Sequence, residues 1–293
     1  MSEPEIGSAA QEGEGPQHDS ISDVSGPVIE VEDVTRVFTR PRTSFRRAPS
    51  VIRAVDGVSL SVAPGERLGI VGESGSGKST LLRMMAGLDQ PTSGSISVDG
   101  RSIVGQSWHE LRWLRERLQV VFQDPMSSLD PAMLVGNIIA EPLRALGRGD
   151  RASRAARVED LLGAVGMSPE AARRYPHQFS GGQRQRISIA RALAPGPQIL
   201  MADEPVSALD VSVRAQVLNL LDEVVDGYDL TLVFVSHDLS VVRHVCDRVA
   251  VMRAGQFVEV APTEQLFTDP AHEYTEALIK AIPTLNSGTA KHQ

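Results

Sequence analysis

Hydrophobic and polar positions alternate in some stretches of the chain and form continuous apolar runs in others. Apolar and acidic side chains alternate over residues 29–32, which predicts a half-exposed strand where the ordered chain begins. Short apolar runs at 67–71, 198–202 and 230–235 have almost no interruption. Because parallel strands are covered on both faces, such runs are typical of a parallel sheet.

Turn signals elsewhere predict antiparallel hairpins. Asp99-Gly100 lies between two strand-like runs, and Ala254-Gly255 does the same nearer the C-terminus. Residues 39–50 carry several arginines and two prolines, and we expect a hairpin loop there. This loop is either solvated or in contact with membrane headgroups or a partner.

From about residue 124 to 189 the pattern changes to helices with Ala-rich and Arg-rich surfaces. We therefore predict an α/β fold with a mostly parallel sheet, an antiparallel β subdomain and an inserted helical subdomain. The main domain is expected over residues 28–265, followed by a short C-terminal extension over 266–293. A short amphipathic tail is expected from Pro262 to about Ile282, after which the last residues are polar.

Composition is that of an ordinary globular protein, with 41% hydrophobic and 23% charged residues among 293. The net charge of −8 is concentrated in residues 1–27, which hold six acids and no Lys or Arg and are expected to be a disordered acidic tail. The rest is nearly neutral, so no basic face for nucleic acid is expected. The single cysteine, Cys246, excludes an internal disulfide. No run approaches the ~18 apolar residues that cross a bilayer, so membrane association would depend on partners.

Residues 72–80 satisfy the phosphate-binding P-loop pattern G-x-x-x-x-G-K-[ST], between a predicted strand and a predicted helix. Glycines there let backbone N–H groups point at a phosphate chain. Lys78 would contact the β- and γ-phosphates, and the Ser79 hydroxyl would ligate Mg²⁺. The candidate nucleotide-binding residues are Gly72, Glu73, Ser74, Gly75, Ser76, Gly77, Lys78, Ser79 and Thr80.

Two carboxylates follow the apolar run at 198–202. A strand that ends in Asp203 and Glu204 next to a P-loop can supply one carboxylate to the metal and another to the attacking water. We assign Asp203 to the metal shell and Glu204 to the general base.

A second anion site is predicted where a serine and two glycines open a helix, because the hydroxyl and the backbone N–H groups can bind phosphate. With Phe179 in front, this segment resembles the Leu-Ser-Gly-Gly-Gln signature of ATP-binding cassette (ABC) proteins. The resemblance implies that it completes the ATP site of a second, facing ATPase subunit. Its residues are Ser180, Gly181, Gly182 and Gln183.

Other positions fit this family resemblance. Gln123 resembles the Q-loop glutamine, which contacts Mg²⁺ and water, and His237 resembles the switch histidine that holds the γ-phosphate and the attacking water. Asp210 ends a segment similar to the D-loop, which links the two active sites. Phe38 lies where the family usually has its adenine-stacking aromatic residue.

Two further stretches narrow the resemblance to ATPase subunits of oligopeptide, dipeptide and nickel importers. They cover residues 122–143 and the His-Glu-Tyr-Thr element at 272–275. The resemblance implies an ATPase that energises import of peptides or a related small solute at the cytoplasmic face of the cell membrane. Its implied partners are a second ATPase subunit, identical or not, two transmembrane permease subunits and, indirectly, an extracytoplasmic substrate-binding protein.

Two alternatives stay open at this point. One is the ATPase of an ABC lipid or lipoprotein exporter. The other is an ABC ATPase without a transporter, although such proteins need a long coiled coil or a second cassette, and this sequence has one P-loop.

Overall fold

The computed structural model describes residues 26–40, 50–124 and 128–282. Two sheets form the scaffold, and their strands are β1 (Ile29–Arg40), β2 (Ser50–Val62), β3 (Arg67–Val71), β4 (Ser93–Val98), β5 (Arg101–Ser102), β6 (Leu118–Val121), β7 (Ile199–Asp203), β8 (Thr231–Ser236), β9 (Arg248–Arg253) and β10 (Gln256–Pro262).

The larger sheet has six strands in the order β10-β9-β3-β8-β7-β6. The pairs formed by β9, β3, β8, β7 and β6 are parallel, whereas β10 returns antiparallel to β9. The second sheet is antiparallel, with the order β2-β1-β4-β5. The mostly parallel sheet and the antiparallel β subdomain expected from the sequence are therefore confirmed.

Nine α-helices occur in the described residues. They are α1 (Lys78–Met85), α2 (Arg112–Arg117), α3 (Val135–Ala145), α4 (Arg151–Ala164), α5 (Gly181–Leu193), α6 (Val211–Gly227), α7 (Leu239–Val245), α8 (Thr263–Thr268) and α9 (Glu273–Lys280).

The apolar runs are continuous because alternate residues of the central strands face two different cores. In β7, Ile199 and Met201 join one buried cluster, while Leu200 and Ala202 join the other. All four side chains are fully buried. The removal of apolar surface from water on both faces of this sheet is what holds it in the middle of the molecule.

Some boundaries differ from the sequence expectations. The predicted loop at 39–50 is shorter, because β1 continues to Arg40 and β2 already begins at Ser50, while residues 41–49 lie outside the described part. Helices α3, α4 and α5 fill most of the predicted helical region, and the C-terminal stretch forms two helices, α8 and α9. The acidic tail lies almost entirely outside the described residues, and the domain boundaries stay predictions.

Candidate functional site

A cleft of about 580 Å³ opens where the C-terminal ends of β3, β6, β7 and β8 meet. The loops that follow these four parallel strands line the cleft. Ligand sites in such sheets generally lie at this edge. Ten residues singled out from the sequence line this cleft: Glu73, Ser74, Gly75, Gly77, Lys78, Ser79, Thr80, Gln123, Glu204 and His237. Ala54 of β2 also lines it, and no sequence signal pointed to that residue.

The loop between β3 and α1 wraps around a buried lysine. Gly77 has φ 110°, and a Cβ at this position would lie 2.1 Å from the Ala54 carbonyl oxygen, so only glycine fits. Lys78 is 4% exposed, and its Nζ donates to the carbonyl oxygens of Gly72 at 2.7 Å and Glu73 at 2.9 Å. Burial lowers the pKa of Lys78, and the nearby carboxylates of Glu204 and Asp203 oppose this shift.

Ser79 and Asp203 meet at the base of the cleft. The Ser79 hydroxyl donates to Asp203 Oδ1 at 2.8 Å, which joins the start of α1 to the end of β7. Burial raises the pKa of Asp203, the Ser79 hydrogen bond opposes the shift, and the adjacent Glu204 charge adds to it. A hydroxyl and a buried carboxylate form an oxygen donor set of the kind that a hard divalent cation requires.

Glu204 and His237 come from the ends of neighbouring strands and contact each other. Glu204 Oε2 lies 3.0 Å from His237 Nδ1. The Glu204 backbone has φ 47°, an uncommon conformation for a non-glycine residue, and its N–H donates to the Val235 carbonyl at 2.9 Å. The Glu204 side chain is 13% exposed and that of His237 is 53% exposed, so the carboxylate lies deeper in the cleft.

The segment Ser180–Gln183 lies outside this cleft. Ser180 caps α5, where its Oγ accepts from the Gln183 N–H at 3.3 Å and its N–H donates to Gln183 Oε1 at 3.0 Å. Asp210 caps α6 by accepting from the Val213 N–H at 3.0 Å, and this hydrogen bond lowers the pKa of Asp210. Neither segment lines the cleft, so the two sets of predicted phosphate-binding residues are separate surfaces of one chain.

Phe38 is also not among the residues that line the cleft. Its ring is 39% exposed on β1, and the Arg36 guanidinium lies 4.5 Å from the ring centroid. The role of Phe38 as an adenine-stacking residue therefore stays a prediction.

No sequence pattern indicated the contacts that the β9–β10 turn and α9 make with the P-loop. The Gly255 N–H in the β9–β10 turn donates to the Ser76 carbonyl at 2.9 Å. From α9, the Tyr274 hydroxyl oxygen accepts from the Glu73 N–H at 3.3 Å. These contacts join segments about 180 to 200 positions apart in the chain, a separation that no local pattern encodes.

Two family models match the chain. The model described as ABC transporter matches residues 55–207, which include the P-loop, Gln123, Ser180–Gln183 and the Asp203-Glu204 pair. The model for the C-terminal region of oligopeptide/dipeptide transporters matches residues 258–293.

Curated relatives agree with these matches. The oligopeptide transport ATP-binding protein AppF of Bacillus subtilis (strain 168) is 48% identical over 268 residues, which cover 91% of this chain and 82% of that protein. The oligopeptide transport ATP-binding protein OppD of Mycobacterium tuberculosis (strain H37Rv) is 54% identical over 257 residues, 87% of this chain but 42% of that longer protein.

Solved structures share the fold. The dimeric post-hydrolysis state of the ATP-binding cassette MJ0796 bound to ADP and Pi superposes with a TM-score of 0.72 at 31% identity, covering 80% of this chain and 98% of that one. The structure of cbiO1 from Clostridium perfringens, part of the ABC transporter complex cbiONQ, gives a TM-score of 0.70 at 26% identity. The match covers 83% of this chain and 92% of that one. The chain therefore belongs to the ABC transporter family, as an ATP-binding protein of the oligopeptide/dipeptide group.

Proposed function

We propose that the cleft binds ATP, with the P-loop around the triphosphate and Lys78 facing the β- and γ-phosphates. Lys78 Nζ already lies at the loop, where the carbonyl oxygens of Gly72 and Glu73 hold it. Its charge therefore needs only a short movement to reach a phosphate. The start of α1 adds backbone N–H groups that favour an anion.

Mg²⁺ fits the Ser79 hydroxyl and the Asp203 carboxylate, which contact each other, and the Gln123 side chain would add a third oxygen donor from the lining of the same cleft. Burial raises the pKa of the Asp203 carboxyl, and a carboxylate that has lost its hydration in this way would gain from a divalent cation. When bound, the cation would neutralise charge on the β- and γ-phosphate oxygens.

Glu204 is proposed as the general base for hydrolysis. A water oxygen attacks the γ-phosphorus, the bond to the β–γ bridging oxygen breaks, and the water proton passes to the Glu204 carboxylate. His237 would hold the water and the γ-phosphate, and Gln123 would orient the water. The observation that carries this assignment is the 3.0 Å contact between Glu204 Oε2 and His237 Nδ1 within the P-loop cleft.

A facing cassette would complete each site. Ser180–Gln183 and Asp210 lie on exposed helix starts away from the chain's own cleft, which supports a role at the nucleotide of a second subunit. The related MJ0796 cassette forms dimers. We propose the same head-to-tail pairing here, with either an identical or a related subunit.

A permease helix is the proposed occupant of a groove beside the cleft. This groove has a volume of about 340 Å³ and lies between the segment after α1 and helix α3, with Leu88 (48% exposed) and Trp108 (65% exposed) at its surface. Phe122 lines the groove while Gln123, the next residue, lines the cleft. This adjacency offers a direct route from the nucleotide to the permease.

Peptide import is the proposed transport activity, at the cytoplasmic face of the cell membrane and with a separate extracytoplasmic binding protein. The oligopeptide/dipeptide C-terminal region and the AppF and OppD relatives support this cargo class. No helix in the described residues is long and apolar enough to cross a bilayer. We assign the pathway through the membrane to the two permease subunits.

The hydrolytic assignment is tested by Glu204→Gln. We expect ATP binding to persist and hydrolysis to fall by ~10²–10⁴, the usual contribution of a positioned base. Glu264→Gln removes an exposed carboxylate at the start of α8 and serves as the control. Near-normal turnover by Glu204→Gln would refute the assignment.

The same variant tests pairing, because slow hydrolysis should trap an ATP-bound dimer that size-exclusion chromatography detects. Adding Ser180→Arg should abolish this dimer while each cleft still binds ATP. A dimer that survives Ser180→Arg would contradict the shared-site proposal.

Transport is tested in cells that lack the chromosomal copy. We expect labelled oligopeptide uptake to be lost, to be restored by the wild type and to stay absent with Leu88→Glu in the groove. Val260→Glu changes a comparably exposed aliphatic residue on β10 and should restore uptake. Unchanged oligopeptide uptake in the deletion strain would argue against the proposed cargo.

A further inference from the structure

The C-terminal helix α9 contacts the P-loop through one phenol group. Tyr274 is 8% exposed, and its hydroxyl oxygen accepts a hydrogen bond from the Glu73 N–H at 3.3 Å. The Arg253 guanidinium, at the end of β9, lies 4.8 Å from the centroid of the tyrosine ring. The ring is thus packed and stacked independently of its hydroxyl, which leaves the hydroxyl as the group that reaches the loop.

Glu73 is the point at which several contacts of the P-loop meet. Its carbonyl oxygen accepts from Lys78 Nζ at 2.9 Å and from the Ser76 N–H at 3.2 Å. Its N–H is the group bonded to Tyr274. The Tyr274 hydroxyl therefore holds the backbone N–H of Glu73. The Glu73 carbonyl in turn holds Lys78 and the turn of the loop.

Helix α9 is itself held in place by a carboxylate. Glu259 of β10 accepts from the Ala271 N–H at 2.9 Å and the His272 N–H at 3.1 Å, just before α9 begins. Burial alone would raise the pKa of Glu259, but these and other hydrogen bonds outweigh it and the pKa is lowered. The Tyr274 N–H in turn donates to His272 Nδ1 at 3.0 Å. The position of the phenol is therefore set by the β9–β10 hairpin.

We propose that Tyr274 is a positioning residue for the nucleotide site, holding the P-loop at Glu73 in its phosphate-accepting conformation before ATP arrives. This inference rests on the proposed function of the cleft as the ATP site. A P-loop that is not held in this conformation must become ordered when ATP binds. The free energy spent on that ordering weakens the affinity for ATP. One net hydrogen bond corresponds to a ~five-fold change in an equilibrium constant.

Tyr274→Phe removes the hydroxyl and keeps the ring. With isothermal titration calorimetry and steady-state ATPase assays, we expect Kd and KM for ATP to rise ~five-fold while kcat stays the same, since the loss concerns binding only. The unfolding temperature without nucleotide should stay near that of the wild type. Tyr228→Phe, at the far end of α6 and outside the cleft, is the matched control and should change neither constant.

Lys78→Ala separates failure of this inference from failure of the proposed function. If Lys78→Ala loses ATP binding but Tyr274→Phe leaves Kd and KM unchanged, the positioning role is wrong and the ATP site stands. A lower unfolding temperature of Tyr274→Phe with unchanged KM would show a purely structural role and would also overturn the inference. If Lys78→Ala binds ATP normally, the ATP site and the inference both fail.

Discussion

Replacing Gly182 with alanine would test the contact between the two exposed helix starts that carry Ser180 and Asp210. A Cβ on Gly182 would lie 2.2 Å from Val213 Cγ1, far inside the 3.4 Å at which ordinary contact begins. The obstructing atom is a methyl of a β-branched side chain, which has few alternative rotamers. Helices α5 and α6 must therefore move apart by about 1 Å to accept the alanine.

The expected change in the free energy of unfolding is the difference between an overpacking cost and a gain in helix propensity. Overpacking costs about 1–3 kcal/mol, whereas replacing glycine in a helix gains up to about 1 kcal/mol. We expect Gly182→Ala to lower the free energy of unfolding by about 0–3 kcal/mol. Once Val213→Ala has removed the methyl, the remaining Val213 Cβ lies 3.7 Å away, an ordinary contact. In that background Gly182→Ala should be neutral or stabilising.

A double-mutant cycle in urea measures this reversal, with midpoints compared at unchanged slope. The coupling energy should be about 1–3 kcal/mol, whereas independent sites add within about 0.5 kcal/mol. Misplacement by about 1 Å can lower a reaction rate by up to ~10²-fold, so Gly182→Ala should hydrolyse ATP ~10- to 10²-fold more slowly at unchanged ATP affinity. Additive effects on stability, or ATPase activity that Val213→Ala does not restore, would refute the reasoning.

Two further predictions concern buried ionisable groups. Because the raised pKa of Asp203 means that folding favours its protonated form, its charge destabilises the nucleotide-free protein as pH rises above the usual carboxyl range. Asp203→Asn should therefore raise the unfolding temperature more at about pH 8 than at about pH 5, as thermal melts would record, and an equal gain at both values would contradict this account. Burial also raises the pKa of the Cys246 thiol, so Ellman's reagent should label it slowly in the folded protein and at once in urea. The Cys246→Ser variant gives the blank, and rapid labelling of the folded chain would show that the thiol is reached.

The sequence predicted the elements of the parallel core closely, because those elements depend on local patterns. The strand at 67–71 has the predicted bounds, and the strands at 198–202 and 230–235 are displaced by one residue. The strand order could not be read in the same way. Apolar runs report that a strand is covered on both faces, but they do not report which neighbour covers its edges.

The sequence indicated which residues after strands lie together at the P-loop, but it carried no signal for residues that reach the loop from distant parts of the chain. Gln123, Glu204 and His237 line the P-loop cleft because parallel strands bring their C-terminal ends to one edge. Ala54 and Tyr274 were missed, since each reaches the loop through a pairing set by tertiary packing. The sequence element that contains Tyr274 indicated a family resemblance, yet nothing in it signalled a contact with Glu73.

Strand β6 lies at the edge of the six-stranded sheet, and within the described part of the chain it pairs with β7 alone. The residues just after β7 and β8 leave strands that are paired along both edges, so shifting them would disrupt two ladders at once. Gln123 follows a strand that pairs with β7 along one edge, so displacing Gln123 would disrupt one ladder. The side of the cleft that follows β7 and β8 is therefore held more firmly than the side formed by Gln123. The less firmly held side adjoins the groove that Phe122 lines.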